Sequence, residues 1–165
     1  MKHPVHPLFI EIDKFEAWAS TMLREPSKIS AEWETDYPDW GAIDEHFKDF
    51  IRSVPTSTWS TEVLSRLSYI IARDIEGGQL MEALLDDALV ILAEHALIHG
   101  EKDTKWQLAL ELPRMADKKR AIELIERYAE DADGDVKKVA LRALAAAREG
   151  RVVTYDDLIR QDFPS

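Results

Sequence analysis

Apolar residues recur at three- and four-residue steps along almost the whole chain, and sustained two-residue alternation is nearly absent. Such a period puts one continuous face of a segment against a core only when the segment is helical, so the chain should be all-α with no sheet. Prolines and glycines divide the pattern. His3-Pro4-Val5-His6-Pro7 should run extended, because each proline keeps its predecessor out of the helical region. Leu8, Ile12, Phe15, Ala19 and Met22 then line a first helix ended by Pro26. Residues 27–37 are polar, anchored by Ile29, Ala31, Trp33 and Tyr37, and read as a loop with one short turn.

The remaining segments follow the same logic. Trp40, Ile43, Phe47, Phe50 and Val54 form the stripe of a second helix between an Asp39 cap and Pro55. Thr58 should cap a third helix running to Gly77-Gly78, and a fourth should run unbroken from Gln79 to His99, with Gly100 closing it. Asp103 and Asp117 should cap two helices interrupted at Pro113, and Asp135 a seventh ended by Gly150. Thr154, with Asp157 three residues on, opens a short terminal helix whose Tyr155, Leu158 and Ile159 close the core. Seven to eight helices are thus expected.

A length of 165 residues with 45% hydrophobic content gives room for one domain that buries its own core. The absence of cysteine excludes disulfides, thiolate nucleophiles and cysteine metal sites. The longest unbroken apolar run, Ala88 to Ala93, is far short of the ~20 residues of a membrane span. No apolar signal core stands at the start, so a soluble cytoplasmic protein is the expectation. The net charge of −11 is uneven: residues 1–100 hold eighteen acids and eight bases, residues 101–165 fourteen and thirteen. Such a field repels phosphate backbones and anionic lipid, which leaves a basic protein as the expected partner and neither nucleic acid nor membrane.

An internal period appears in the second half. Leu108-Ala109-Leu110 and Val139-Ala140-Leu141 lie thirty-one residues apart, each preceded by aspartate and basic residues and followed by another helix. The segment Asp133-Gly134-Asp135-Val136-Lys137-Lys138-Val139-Ala140-Leu141-Arg142-Ala143-Leu144 closely resembles the first helix of a HEAT repeat, with lysine where arginine is usual. Asp103 to Leu110 looks like a degenerate copy in which Thr104 and Trp106 depart from the pattern, and Ala121 to Ala129 like the second helix between them. The resemblance is clearest over residues 103–150 and, by helix pairing alone, weaker over 58–100. It implies a right-handed α-solenoid of antiparallel helix pairs over residues 56–165, joined to non-repeat helices over 1–55 in a single domain. A plain helical bundle is the alternative architecture.

Several patterns bear on chemistry. His95 and His99 lie four apart on a helix, a spacing that lets both imidazoles reach one metal. Glu94 precedes His95 instead of lying between the two, so this is no zinc-protease motif, and dipole-complementing histidines at a helix end are the plainer reading. Asp131-Ala132-Asp133-Gly134-Asp135 opens like a calcium loop, but Val136 and Arg142 stand where that loop needs glycine and glutamate. No glycine-rich phosphate loop or serine elbow is visible, and no cofactor is implied.

Glu82, Asp86, Asp87 and Glu94 form an acidic side on the fourth helix, and Asp44, Glu45 and Asp49 do so on the second. Solvated helix faces explain both; recognition of lysines and arginines is the functional alternative. Trp33 and Tyr37, in the polar stretch, are the tryptophan and tyrosine expected to remain partly exposed as binding anchors. The residues assigned to a partner are therefore Trp33, Tyr37, Glu82, Asp86, Asp87 and Glu94. Together they suggest a non-enzymatic protein-binding scaffold, by analogy with small acidic HEAT-like proteins an immunity or antitoxin-type protein. The competing readings are a HEAT-like DNA glycosylase, which needs a basic groove, and a metal-binding helical protein through His95 and His99.

Overall fold

The computed structural model describes residues 5–25, 27, 30–75 and 78–162, with side chains of the last helix described as far as Leu158. Expectations that fell on His3, Pro4, Pro26, Ile29, Gly77 and the Ile159 side chain lie outside the described residues. Among the described residues there are nine α-helices and no strand: α1 (Pro7–Met22), α2 (Trp40–Ser53), α3 (Thr61–Arg73), α4 (Gln79–Glu82), α5 (Asp86–His99), α6 (Lys102–Glu111), α7 (Lys118–Tyr128), α8 (Gly134–Arg148) and α9 (Tyr155–Asp162). Short 3-10 turns occupy Trp33–Asp36, Thr56–Thr58 and Leu112–Arg114. No described helix is long and apolar enough to cross a membrane. The chain forms two compact units, residues 1–84 and 85–165.

In the first unit, α1 packs on α2 and α3. Leu8, Ile12 and Phe15 of α1, Ile43 and Phe47 of α2 and Leu67, Ile70 and Ile71 of α3 are fully enclosed, as their three- and four-residue spacing requires. Ser60, not Thr58, caps α3: the Ser60 hydroxyl accepts from Val63 N–H at 3.2 Å, whereas Thr58 sits in a 3-10 turn and donates to the Pro55 carbonyl at 2.7 Å. Asp39 occupies the start of α2 without a side-chain cap bond. Gly78 adopts φ 59°, a left-handed conformation suited to glycine, immediately before α4.

The helix expected over 79–99 is interrupted. Residues 83–85 leave the helix, Leu84 is buried, and α5 restarts at Asp86. The two adjacent acids Asp86 and Asp87 stand in the first turn of α5, where the positive end of the helix dipole favours them.

In the second unit, α8 packs against both α6 and α7, and α5 against α6 and α7. Small residues make close approach between helices feasible: Val136, Ala140, Ala143 and Ala147 follow one face of α8 and are buried. Asp133, not Asp135, caps α8, its Oδ1 accepting from Asp135 N–H at 2.9 Å and Val136 N–H at 3.1 Å. That frees Asp135 for the ammonium of Lys102 on α6 at 2.5 Å, next to a second cross-element pair, Lys105 to Asp131 at 2.8 Å.

α8 ends in a full Schellman motif. Gly150 at φ 69° donates to the Ala147 carbonyl, and Arg151 N–H donates to Ala146 at 2.8 Å. Glu101 stands at the start of α6; Asp103, one residue inside, accepts from Trp106 Nε1 at 3.0 Å. Asp117 caps α7 through Arg120 N–H at 3.0 Å. Thr154 and Asp157 make the reciprocal capping box at the head of α9, each accepting from the other's backbone N–H. Leu158 is buried there, while Tyr155 stays exposed and stacks on Trp106 with centroids 5.8 Å apart.

Candidate functional site

The polar stretch between α1 and α2 carries the densest aromatic arrangement in the protein. Trp40, on the first turn of α2, donates its indole N–H to the Glu34 carbonyl at 2.7 Å and so ties the Trp33–Asp36 turn to the helix. Trp33 then stacks on Trp18 of α1, centroids 5.6 Å apart and planes 26° apart. Phe15, fully buried, meets Trp18, Trp33, Tyr37 and Trp40 at 5.0–6.4 Å. Offset and edge contacts of this kind contribute beyond the area they bury.

Trp33 and Tyr37 part company here. Trp33 is half-buried, whereas Tyr37 is only 6% exposed. The expectation of an exposed Tyr37 is therefore corrected. Its ring meets Phe15 edge-on and lies tilted against Trp18, and an aromatic side chain gains more from that packing than from water. Burial, with the Asp39 carboxylate, pushes its phenol upward, so it stays neutral at ordinary pH. Trp18 and Trp40, both half-buried, complete the cluster and were not singled out by sequence reasoning. The signal was present in the spacings Phe15/Trp18 and Tyr37/Trp40, but linking the two segments requires the fold.

Carboxylates surround this turn. Glu32, Asp36 and Asp39 are exposed within seven residues of Trp33, and Glu45 and Asp49, further along on α2, are exposed as well. Asp44 is half-buried: one oxygen holds Lys48 Nζ at 2.7 Å, and the other is enclosed without a hydrogen-bond partner among the described residues. It lines a small pocket of about 220 Å³ with Trp40, Arg73, Asp74, Gln79 and Leu80. Burial raises the Asp74 carboxyl above its ordinary value, although Leu80 N–H donates to it at 2.9 Å. A larger open groove of about 840 Å³ runs past His6, Phe9, Phe50, Val54, Val63 and Arg66. Arg66 on its wall donates to the Phe9 carbonyl and pairs with Asp13.

The four acids assigned to one helical side do not share a helix. Glu82 ends α4 in the first unit and is exposed, whereas Asp86, Asp87 and Glu94 belong to α5 in the second. Asp86 and Glu94 already serve the fold. Asp86 accepts from Ala116 N–H at 2.9 Å, and Glu94, 42% exposed, pairs with Arg120 of α7. Both partners lie 26 to 30 residues away, beyond any local pattern.

His95 and His99, on the last two turns of α5, have ring centroids 5.0 Å apart. Partial burial and the neighbouring His99 hold His95 below the usual imidazole value. No group of three or more His, Asp or Glu converges as a metal set among the described residues. The Asp131–Asp135 turn is used by the cap and the two lysine pairs described above. No protein-family model, no curated protein and no solved structure matches this chain.

Proposed function

We propose that the protein is a non-enzymatic binding scaffold that receives a basic protein partner on the acidic, aromatic face formed by residues 32–45 with Trp18. The observation that carries this reading is the half-exposed Trp18–Trp33 stack set beside the exposed carboxylates of Glu32, Asp36 and Asp39. A rigid tryptophan offers a large contact area at low entropic cost, and lysine or arginine can lie over an indole face while pairing with a nearby carboxylate. Net charge supports it: residues 1–84 hold fifteen acids and eight bases, residues 85–165 seventeen and thirteen.

The HEAT-like part of the proposal draws support from α8 lying against both α6 and α7, as the second copy of a helix pair would. A cationic toxin is a partner of suitable chemistry, for which the protein would serve as an immunity-type inhibitor acting in the cytoplasm. Relative to the sequence expectation, the binding surface moves from Tyr37, Asp86 and Glu94, whose groups are buried or bonded within the fold, toward Trp33 and its flanking acids.

A lysine- and arginine-rich peptide titrated against the full chain, followed by tryptophan fluorescence, tests this directly. Saturable binding should weaken as salt is added. Trp33→Ala should weaken it by about 2 kcal/mol, roughly thirtyfold, the size expected for an aromatic anchor. Neutralising Glu32, Asp36 and Asp39 together should slow association more than neutralising Glu82 and Asp87. Affinity indifferent to Trp33→Ala and to the triple change would overturn the assignment.

A further inference from the structure

We propose that His95 and His99 form a bidentate site for a borderline divalent transition-metal ion, with Zn²⁺ as its type, on the C-terminal two turns of α5. The two imidazoles are i and i+4 on one helix face, with ring centroids 5.0 Å apart. With a metal–nitrogen bond of about 2 Å, two rings chelating one ion at a right-angled to tetrahedral bite have centroids roughly 4.5–5 Å apart. The 5.0 Å between the two centroids matches that separation. An imidazole has two ring nitrogens, so one can keep a hydrogen bond within the protein while the other ligates.

Access and ligand type fit the same ion. His99 is exposed and His95 half-buried, and the residue between them on the outer side, Ile98, is 73% exposed, so the site opens to solvent. No third His, Asp or Glu joins them among the described residues, so water fills the remaining positions. An open site of this kind accepts a ligand from outside the chain. Imidazole donors without carboxylate select zinc-like ions over Mg²⁺ and Ca²⁺, which prefer oxygen. This inference stands apart from the acidic face, since it uses neither its residues nor its partner.

The experiment is isothermal titration of the full chain with Zn²⁺ alone, and with Mg²⁺ alone, paired with thermal melts. One Zn²⁺ should bind and raise Tm, because the folded helix presents both ligands together, and Mg²⁺ should do neither. His95→Ala and His99→Ala should each weaken Zn²⁺ by more than the ~10-fold that loss of even an outer partner costs a zinc site. His99→Ala is at an exposed position, so it reports on the ligand alone, whereas His95→Ala also removes a half-buried ring. His3→Ala, His6→Ala and His46→Ala should leave the titration unchanged. The proposal is overturned if Zn²⁺ does not bind, if His99→Ala binds it as wild type does, or if Mg²⁺ binds equally well.

Discussion

The two units solve the problem of core filling in opposite ways. Residues 1–84 hold ten of the fourteen aromatic residues and six alanines, residues 85–165 four aromatics and thirteen alanines. In the first unit a few large rings converge on Phe15; in the second, α8 turns Ala140, Ala143 and Ala147 toward its neighbours. Rings fill space between helices that stand apart, whereas alanines leave room for backbones to approach. The first kind of core suffers when a residue shrinks, the second when one grows.

That contrast is open to direct attack. The largest effect is expected from Phe15→Ala, which deletes a fully buried ring at the centre of five others and should cost about 3–5 kcal/mol in urea unfolding. Next comes overpacking: Ala140→Leu, at a fully buried position on α8, should cost about 1–3 kcal/mol. Ala145→Leu on the exposed side of the same helix should stay within about 0.5 kcal/mol. Equal losses at 140 and 145 would show that close approach is not what the alanines provide.

The smallest expected effect separates the units by acid response. Asp74, in the first unit, has its carboxyl raised by burial, so its charged form is disfavoured in the folded state. Its contribution is then fully present below the unfolded value and lost as pH rises through the folded one. Asp74→Asn, which keeps an acceptor for Leu80 N–H, should therefore stabilise at neutral pH and cease to do so in acid. Asp131, in the second unit, moves the other way: burial pushes it up, but Lys105 and Asp133 N–H outweigh this and hold it below the usual value. Its contribution is present at neutral pH and lost as pH falls through the lowered value, so Asp131→Asn should destabilise at neutral pH and converge on wild type in acid. Chemical unfolding across pH, read for both variants, checks the opposite signs.

Local order carried a long way from sequence. Phe15, Phe47, Leu67 and Leu124 are fully buried in their stripes while stripe ends such as Met22, Trp40 and Val54 are half-buried, because a 3.6-residue period leaves a helix only one face to bury. Asp117, Gly150 and the Thr154/Asp157 box act as helix boundaries because capping is decided within four residues. The shifts from Thr58 to Ser60 and from Asp135 to Asp133 show its limit: two nearby oxygens competed, and the backbone path chose between them. The candidate site was less legible. Trp33 was visible as an aromatic residue in a polar loop, but Trp18, which it stacks on, is fifteen residues away on α1.

The chain by itself determined that it would be helical, where most helices would begin and end, and which stripe of each would face inward, since all of these follow from neighbours within one or two turns. Tertiary structure alone decided that Tyr37 is enclosed, that the 79–99 segment breaks at residues 83–85, and that Asp86 and Glu94 are engaged by residues 26 to 30 positions away. The reason is physical. A carboxylate or a ring is free or occupied according to what the folded chain brings against it, and that is set by packing between segments rather than by spacing within one.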